Sequence, residues 1–139
     1  PDCTALHKDA RNLVSADLDN DGRMDLLTTT FEAWPEPRQR LILYRNQLPL
    51  DAVHWVGFDL PTPPDHRSIG LTLTLHTDDG TKTTAQYVTG DSFRVQNANR
   101  FHFGLGNEQR VDRVDIRWMD GQRTELREPV IDQYHTLPK

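Results

Sequence analysis

The nine residues Asp17-Leu18-Asp19-Asn20-Asp21-Gly22-Arg23-Met24-Asp25 carry carboxylates at positions 1, 3, 5 and 9 and a glycine at position 6. Four like charges held in one short turn repel one another unless a cation shares them. Ca²⁺ takes about six to eight oxygens at roughly 2.3–2.6 Å in loose geometry, and alternating side chains of a tight loop can supply them. The expected ligands are the side chains of Asp17, Asp19, Asp21 and Asp25, with the backbone carbonyl of Arg23 at position 7. Mg²⁺ fits such a loop less well, because it dehydrates reluctantly and demands octahedral geometry. Two other readings compete with a calcium loop. An EF-hand shares the D-x-D-x-D-G opening but needs Glu at position 12. Position 12 here is Thr28, and Leu26 to Phe31 is apolar or β-branched and reads as a strand. A solvated acidic turn is the second competitor, since Asp, Asn and Gly are ordinary turn residues.

The rest of the chain also reads as strands. Residues 1–9 give no pattern. Asn12 to Ala16 enters the acidic loop and Met24 to Phe31 leaves it. Pro35 and Pro37 keep the next stretch out of any central strand. Gln39 to Arg45 is apolar on both faces in its middle and is expected to be a buried strand. Asn46 to Asp51 reads as a linker. Beyond it, Val53 to Leu60 puts Val56, Phe58 and Leu60 on one face. Ile69 to His76 alternates, with Ile69, Leu71, Leu73 and Leu75 expected inward. Asp79-Gly80 and Asp120-Gly121 suit hairpin turns that need positive φ. They are expected to join Ile69–His76 to Lys82–Thr89, and Val111–Trp118 to Gln122–Leu126. Arg100 to Phe103 and Gln133 to Leu137 complete the expected strands. No useful stripe of apolar residues at i, i+3, i+4 occurs. Short strands with frequent turn signals indicate an all-β protein, with a small β-sandwich or barrel over residues 53–137.

Composition removes several functions. Net charge is −5 and no basic run or basic face occurs, so nucleic acid is a poor partner. No apolar run approaches the ~20 residues that a membrane-spanning helix needs. One cysteine, Cys3, excludes an internal disulfide framework and a cysteine-based zinc cluster. Hydrophobic residues make up only 35%, so any core must be lean.

Two resemblances rest on particular residues. Ser15 to Leu27, with its acidic core, resembles an FG-GAP/VCBS-type repeat, and Leu43-Tyr44-Arg45-Asn46 is similar to the ending that often follows one. That likeness covers roughly residues 10–50. It implies that residues 1–50 form a partial β-propeller-type repeat, whose loop joins two strands of a blade and holds Ca²⁺. A propeller needs several blades and only one copy is present, so the chain is expected to be the tail of a longer protein. Residues 53–137 resemble an ASPIC/UnbV domain. The matching pieces are Ser68-Ile69-Gly70, Thr89-Gly90-Asp91-Ser92-Phe93, Phe101-His102-Phe103-Gly104-Leu105-Gly106, Val111-Asp112-Arg113-Val114-Asp115-Ile116-Arg117-Trp118 and Asp120-Gly121. In that family the domain typically follows FG-GAP/VCBS repeats, and the order is the same in this chain.

Motifs for chemistry are scarce. Gly90-Asp91-Ser92-Phe93-Arg94 lacks the final glycine of a nucleophile elbow. Gly104-Leu105-Gly106 lacks the third glycine of a dinucleotide loop and reads as a turn of unusual φ. The six histidines show no close metal-ligand pairing, and His102, central to its motif, is expected to hydrogen-bond a neighbouring strand or loop. Asp112, Arg113, Asp115 and Arg117 read as a charged outer face. The expected function is a non-catalytic, calcium-binding adhesion or interaction module of an exported protein, extracellular or periplasmic, with a protein or glycan ligand. The alternatives are a carbohydrate-binding module using exposed aromatics, with Trp34, Trp55 and Tyr134 as candidates, and an accessory domain of a larger enzyme.

Overall fold

The computed structural model describes residues 10–32, 37–49, 51, 53–61, 68–90 and 93–138. Among them the protein is all-β, with ten strands and no helix. The strands form three sheets, none of them closed. Trp34, Cys3, Asp91 and Ser92, named above, and two of the six histidines, His7 and His66, lie outside the described residues.

Chain contacts divide the molecule into two compact units. One comprises Pro1–Leu48 and Gly90–Ala98; the other comprises Pro49–Thr89 and Asn99–Lys139. The segment Gly90–Ala98, which lies within the sequence of the second part, thus belongs to the first unit. There Phe93 and Arg94 line a groove of about 620 Å³ with Asn12, Phe31 and Leu41.

The first unit carries an antiparallel sheet in the order β1-β2-β3, from Ala10–Ala16, Asp25–Glu32 and Arg38–Tyr44. The β-branched and apolar run 26–31 forms the central strand β2, as its residue types favour. Burial of β3 differs from expectation. Leu41 and Leu43 are 67% and 53% exposed, and Leu13 and Leu26 on β1 and β2 are also exposed. Cross-strand pairing of Leu41 with Thr29 and of Leu13 with Thr28 puts these leucines on opposite faces. Both faces of this sheet therefore carry apolar surface open to solvent.

The second unit has two sheets. One is ordered β10-β4-β7, from Tyr134–Thr136, His54–Asp59 and Arg100–Gly106. The other is ordered β6-β5-β8-β9, from Lys82–Gln86, Thr72–Thr77, Val111–Arg117 and Arg123–Arg127. Pairing is antiparallel except for β10, which runs parallel to β4. Alternation sends one set of side chains from each sheet into a common core: Val56, Phe58, Phe101 and Phe103 from the first, Leu73, Leu75, Val114 and Ile116 from the second. Both hairpin glycines, Gly80 and Gly121, take φ values of 85° and 87°, a conformation that costs a residue with a side chain.

Two local expectations need correction. Ile69 is 51% exposed and sits in a turn, because β5 begins only at Thr72; Leu71, Leu73 and Leu75 are buried as expected. Gly104-Leu105-Gly106 is the end of β7 rather than a turn. Leu105 is buried in the core, and only Gly106, with φ 60°, leaves the extended conformation. A glycine pair reads locally as a breaker, but pairing of Trp55 with Gly104 and of His54 with Gly106 holds the segment in the sheet.

Candidate metal centre

β1 and β2 pair up to Ala16 and Asp25, so the residues between them form a loop closed at its base by the ladder. Asp17, almost fully buried, organises this loop. Its two carboxylate oxygens accept the backbone N–H groups of Asp21 (3.0 Å) and Gly22 (2.9 Å). That folds the chain back sharply, with Asn20 and Gly22 at φ 58° and 87°. Asn and Gly are the residues that take this conformation most readily.

The fold brings three of the expected ligands together. Asp17, Asp19 and Asp21 each offer a carboxylate oxygen, and these oxygens all lie within 4.8 Å of one another. Oxygens bound to one Ca²⁺ stand at most about 5 Å apart, twice the usual bond length. The donor set is hard and anionic, so these residues suit that ion. The oxygens already accepting N–H bonds retain lone pairs for a cation. Asp25 is 4% exposed and stands outside this group; its Oδ1 accepts the Asn46 backbone N–H at 2.8 Å.

Arginines account for part of the negative charge. Arg23 donates from its backbone N–H to Asp21 Oδ1 and from Nε to Oδ2, both at 2.9 Å, and its Nη2 also pairs with Asp21. These bonds hold the Asp21 carboxyl below its ordinary value of 3.8 and raise the Arg23 guanidinium. Arg45 pairs with Asp19 through Nη2. Two guanidinium charges against four carboxylates leave the loop acidic.

Arg45 and Asn46 are contributors that the residue pattern of the loop does not reveal. Their signal lay in the Leu43-Tyr44-Arg45-Asn46 stretch. The register that pairs Leu26 with Tyr44 places the next two residues beside Asp25. Asn46 also donates from Nδ2 to Met24 O at 3.4 Å, so this stretch fastens the base of the loop.

In the second unit, the outer face of β4 and β7 holds the remaining candidates. His102 stacks on Trp55 with ring centres 5.2 Å apart, and its Nδ1 lies 3.1 Å from Tyr134 Oη on β10. Arg100 lies over the Tyr134 ring at 3.7 Å and donates from Nε to Asp59 Oδ1 at 2.6 Å, which raises its guanidinium further. Trp55 is only 6% exposed and Tyr134 is half-buried, so these two do not form a row of exposed aromatics. Of the acids on the neighbouring sheet, Asp115 binds His76 Nε2 at 2.8 Å and Arg113 Nε at 3.3 Å. Arg117, expected within that charged face, makes no ion pair among the described residues.

No helix of the described residues is long and apolar enough to cross a membrane. No curated protein matches the chain. The family described as ASPIC and UnbV matches residues 62–139, which supply all the strands of the second unit except β4. With more than half of its length matched, and with the FHFGLG and VDRVDIR segments forming β7 and β8, consecutive strands in the two sheets of that core unit, the chain belongs to the ASPIC and UnbV family.

Proposed function

We propose that the chain is a non-catalytic interaction module of an exported protein, in which Ca²⁺ bound by the acidic loop fixes strands β1 and β2. The observation that carries this reading is the convergence of Asp17, Asp19 and Asp21 within 4.8 Å in a loop closed by the strand ladder. Asp17, Asp19 and Asp21 would hold the ion, and the Arg23 carbonyl and Asp25, the latter drawn in from its place outside the cluster, would complete the shell. The ion would add positive charge at the most acidic point of the chain and stiffen the turn. Weak affinity suffices for such a role, since extracellular modules bind Ca²⁺ at roughly 10⁻⁴–10⁻³ M.

The sheet β1-β2-β3 is read as one blade of an FG-GAP/VCBS-type propeller. A blade packs both faces against neighbours, and this sheet exposes leucines on both. Isolated apolar side chains on a surface are ordinary, but apolar residues on both faces of one sheet are what a stacked layer requires.

A thermal melt tests the calcium reading. In about 5 mM Ca²⁺ the first unit is expected to melt roughly 5–10 °C higher than in EDTA, the shift for a ligand near 100 times its Kd. Mg²⁺ should not reproduce the rise, and Asp19→Ala should abolish it. An unchanged melt would favour the other reading that the contacts support, in which Arg23 and Arg45 offset enough of the loop's charge to hold it without a metal.

A further inference from the structure

The outward side chains of the four-stranded sheet fall into rows across β6, β5, β8 and β9. One row is Gln86, Thr72, Arg117 and Arg123; the next is Thr84, Thr74, Asp115 and Glu125; the third is Lys82, His76, Arg113 and Arg127. The acids of the middle row are engaged from the third row. Asp115 contacts His76 and Arg113, and Glu125 accepts from Arg127 Nε at 2.6 Å. Arg117 and Arg123, directly opposite each other on neighbouring strands, have no ion pair among the described residues. Like charges directly across an antiparallel pair destabilise it. In a chain of net charge −5, an uncompensated arginine pair on regular strands is not a consequence of composition.

The two arginines, with Thr72, Thr74, Asp115 and Glu125, line a groove of about 520 Å³. The geometry points to an anion-binding groove for an acidic polysaccharide, one that carries carboxylate or sulfate groups on a hydroxyl-rich chain. Both guanidiniums offer forked donors that match a planar carboxylate and hold sulfate oxygens equally well. The adjoining Asp115 and Glu125 set the ligand class. A polyanion without hydroxyls would meet their charge as repulsion, whereas sugar hydroxyls can donate to both. The rows span about 15 Å across four strands, room for several sugar units. No large apolar side chain stands on these rows, and Ile116, the apolar residue in the groove's lining, is buried in the core, so the groove offers no exposed aromatic or aliphatic anchor of the kind a protein partner normally buries.

The test uses the full chain in EDTA at about 0.15 M salt, so that calcium cannot bridge the acidic loop to the ligand. The probes are polygalacturonate, dextran sulfate, neutral dextran and polyglutamate, compared by affinity electrophoresis. The expected result is retardation by polygalacturonate or dextran sulfate and none by dextran or polyglutamate. Arg117→Gln with Arg123→Gln should weaken binding about tenfold or more, the loss of two charge-assisted contacts. Arg127→Gln removes a charge of the same sign from the same face and should change binding less than about threefold. Equal retardation by dextran or polyglutamate would overturn the assignment. So would an unaffected double variant, or an Arg127→Gln effect as large. If the Gln variant fails to fold, Arg117→Lys with Arg123→Lys keeps both charges without the fork, and unchanged binding there would equally refute the paired-arginine site.

Discussion

Tyr134 lies directly over Gly57. The two residues are partners across the parallel β10–β4 pair, and a Cβ built at position 57 would collide with Cδ1 and Cε1 of the tyrosine ring. The missing side chain lets Tyr134 settle against Trp55, with ring centres 4.6 Å apart, and reach His102. Gly57→Ala is therefore expected to cost ~1–3 kcal/mol, as for other overpacked sites. Gly104→Ala on β7 meets nothing within 4 Å and should cost no stability. Urea unfolding of both variants checks the contrast; equal midpoints would mean that the tyrosine ring moves aside freely.

Two leucines of the same strand-forming character differ only in what covers them. Leu73 is 0% exposed at the centre of the second unit's core, and Leu41 is 67% exposed on β3. Leu73→Ala should cost ~2–5 kcal/mol, including the cavity it leaves. Leu41→Ala should stay within about 0.5 kcal/mol in the isolated chain. The same Leu41 substitution made in a longer protein with neighbouring repeats should cost more, if a second blade covers that face.

The hairpin between β5 and β6 carries its own acid dependence. Asp79 accepts from Thr77 Oγ1 and Thr81 Oγ1, both at 2.6 Å, and from Thr81 N at 2.8 Å. These bonds favour the charged form and push its pKa from 3.8 down to about 2. A depressed carboxyl stabilises the folded state fully above its unfolded value and loses that contribution as pH falls through the folded one. The loss should thus fall between about pH 4 and pH 2, and Asp79→Asn should flatten it. Denaturant midpoints of both chains at pH 5 and pH 2.5 would show the difference, and parallel curves would remove Asp79 from the account.

Arg45 pairs with Asp19 and would have to give up that carboxylate to a metal. If Ca²⁺ occupies the loop, Arg45→Ala should raise calcium affinity by up to about fivefold, the scale of an exposed ion pair. Calorimetric titration with CaCl₂ measures it. Lower stability of Arg45→Ala with no calcium uptake would instead identify the guanidinium as the loop's counter-charge.

Local periodicity reached far into this fold. Apolar alternation marked Val56, Phe58, Leu73, Leu75, Val114 and Ile116, all of which are buried, because a pleated strand sends alternate side chains to opposite faces whatever its partners are. Asp-Gly steps marked the turns at Gly80 and Gly121, because positive φ is a property of the residue itself. The spacing of Asp17, Asp19 and Asp21 was equally plain, since a loop of so few residues keeps its own side chains close. Tertiary structure decided what sequence neighbours cannot encode. Leu41 and Leu43 look like core but are exposed, because burial depends on a second layer and not on the strand. Gly104 and Gly106 end a strand because β4 pairs with them. Arg45 and Asn46 reach the acidic loop, and Arg117 comes to face Arg123, only through the registers of their ladders. Register is fixed by long-range pairing, and a shift of one residue would turn each of these side chains to the other face.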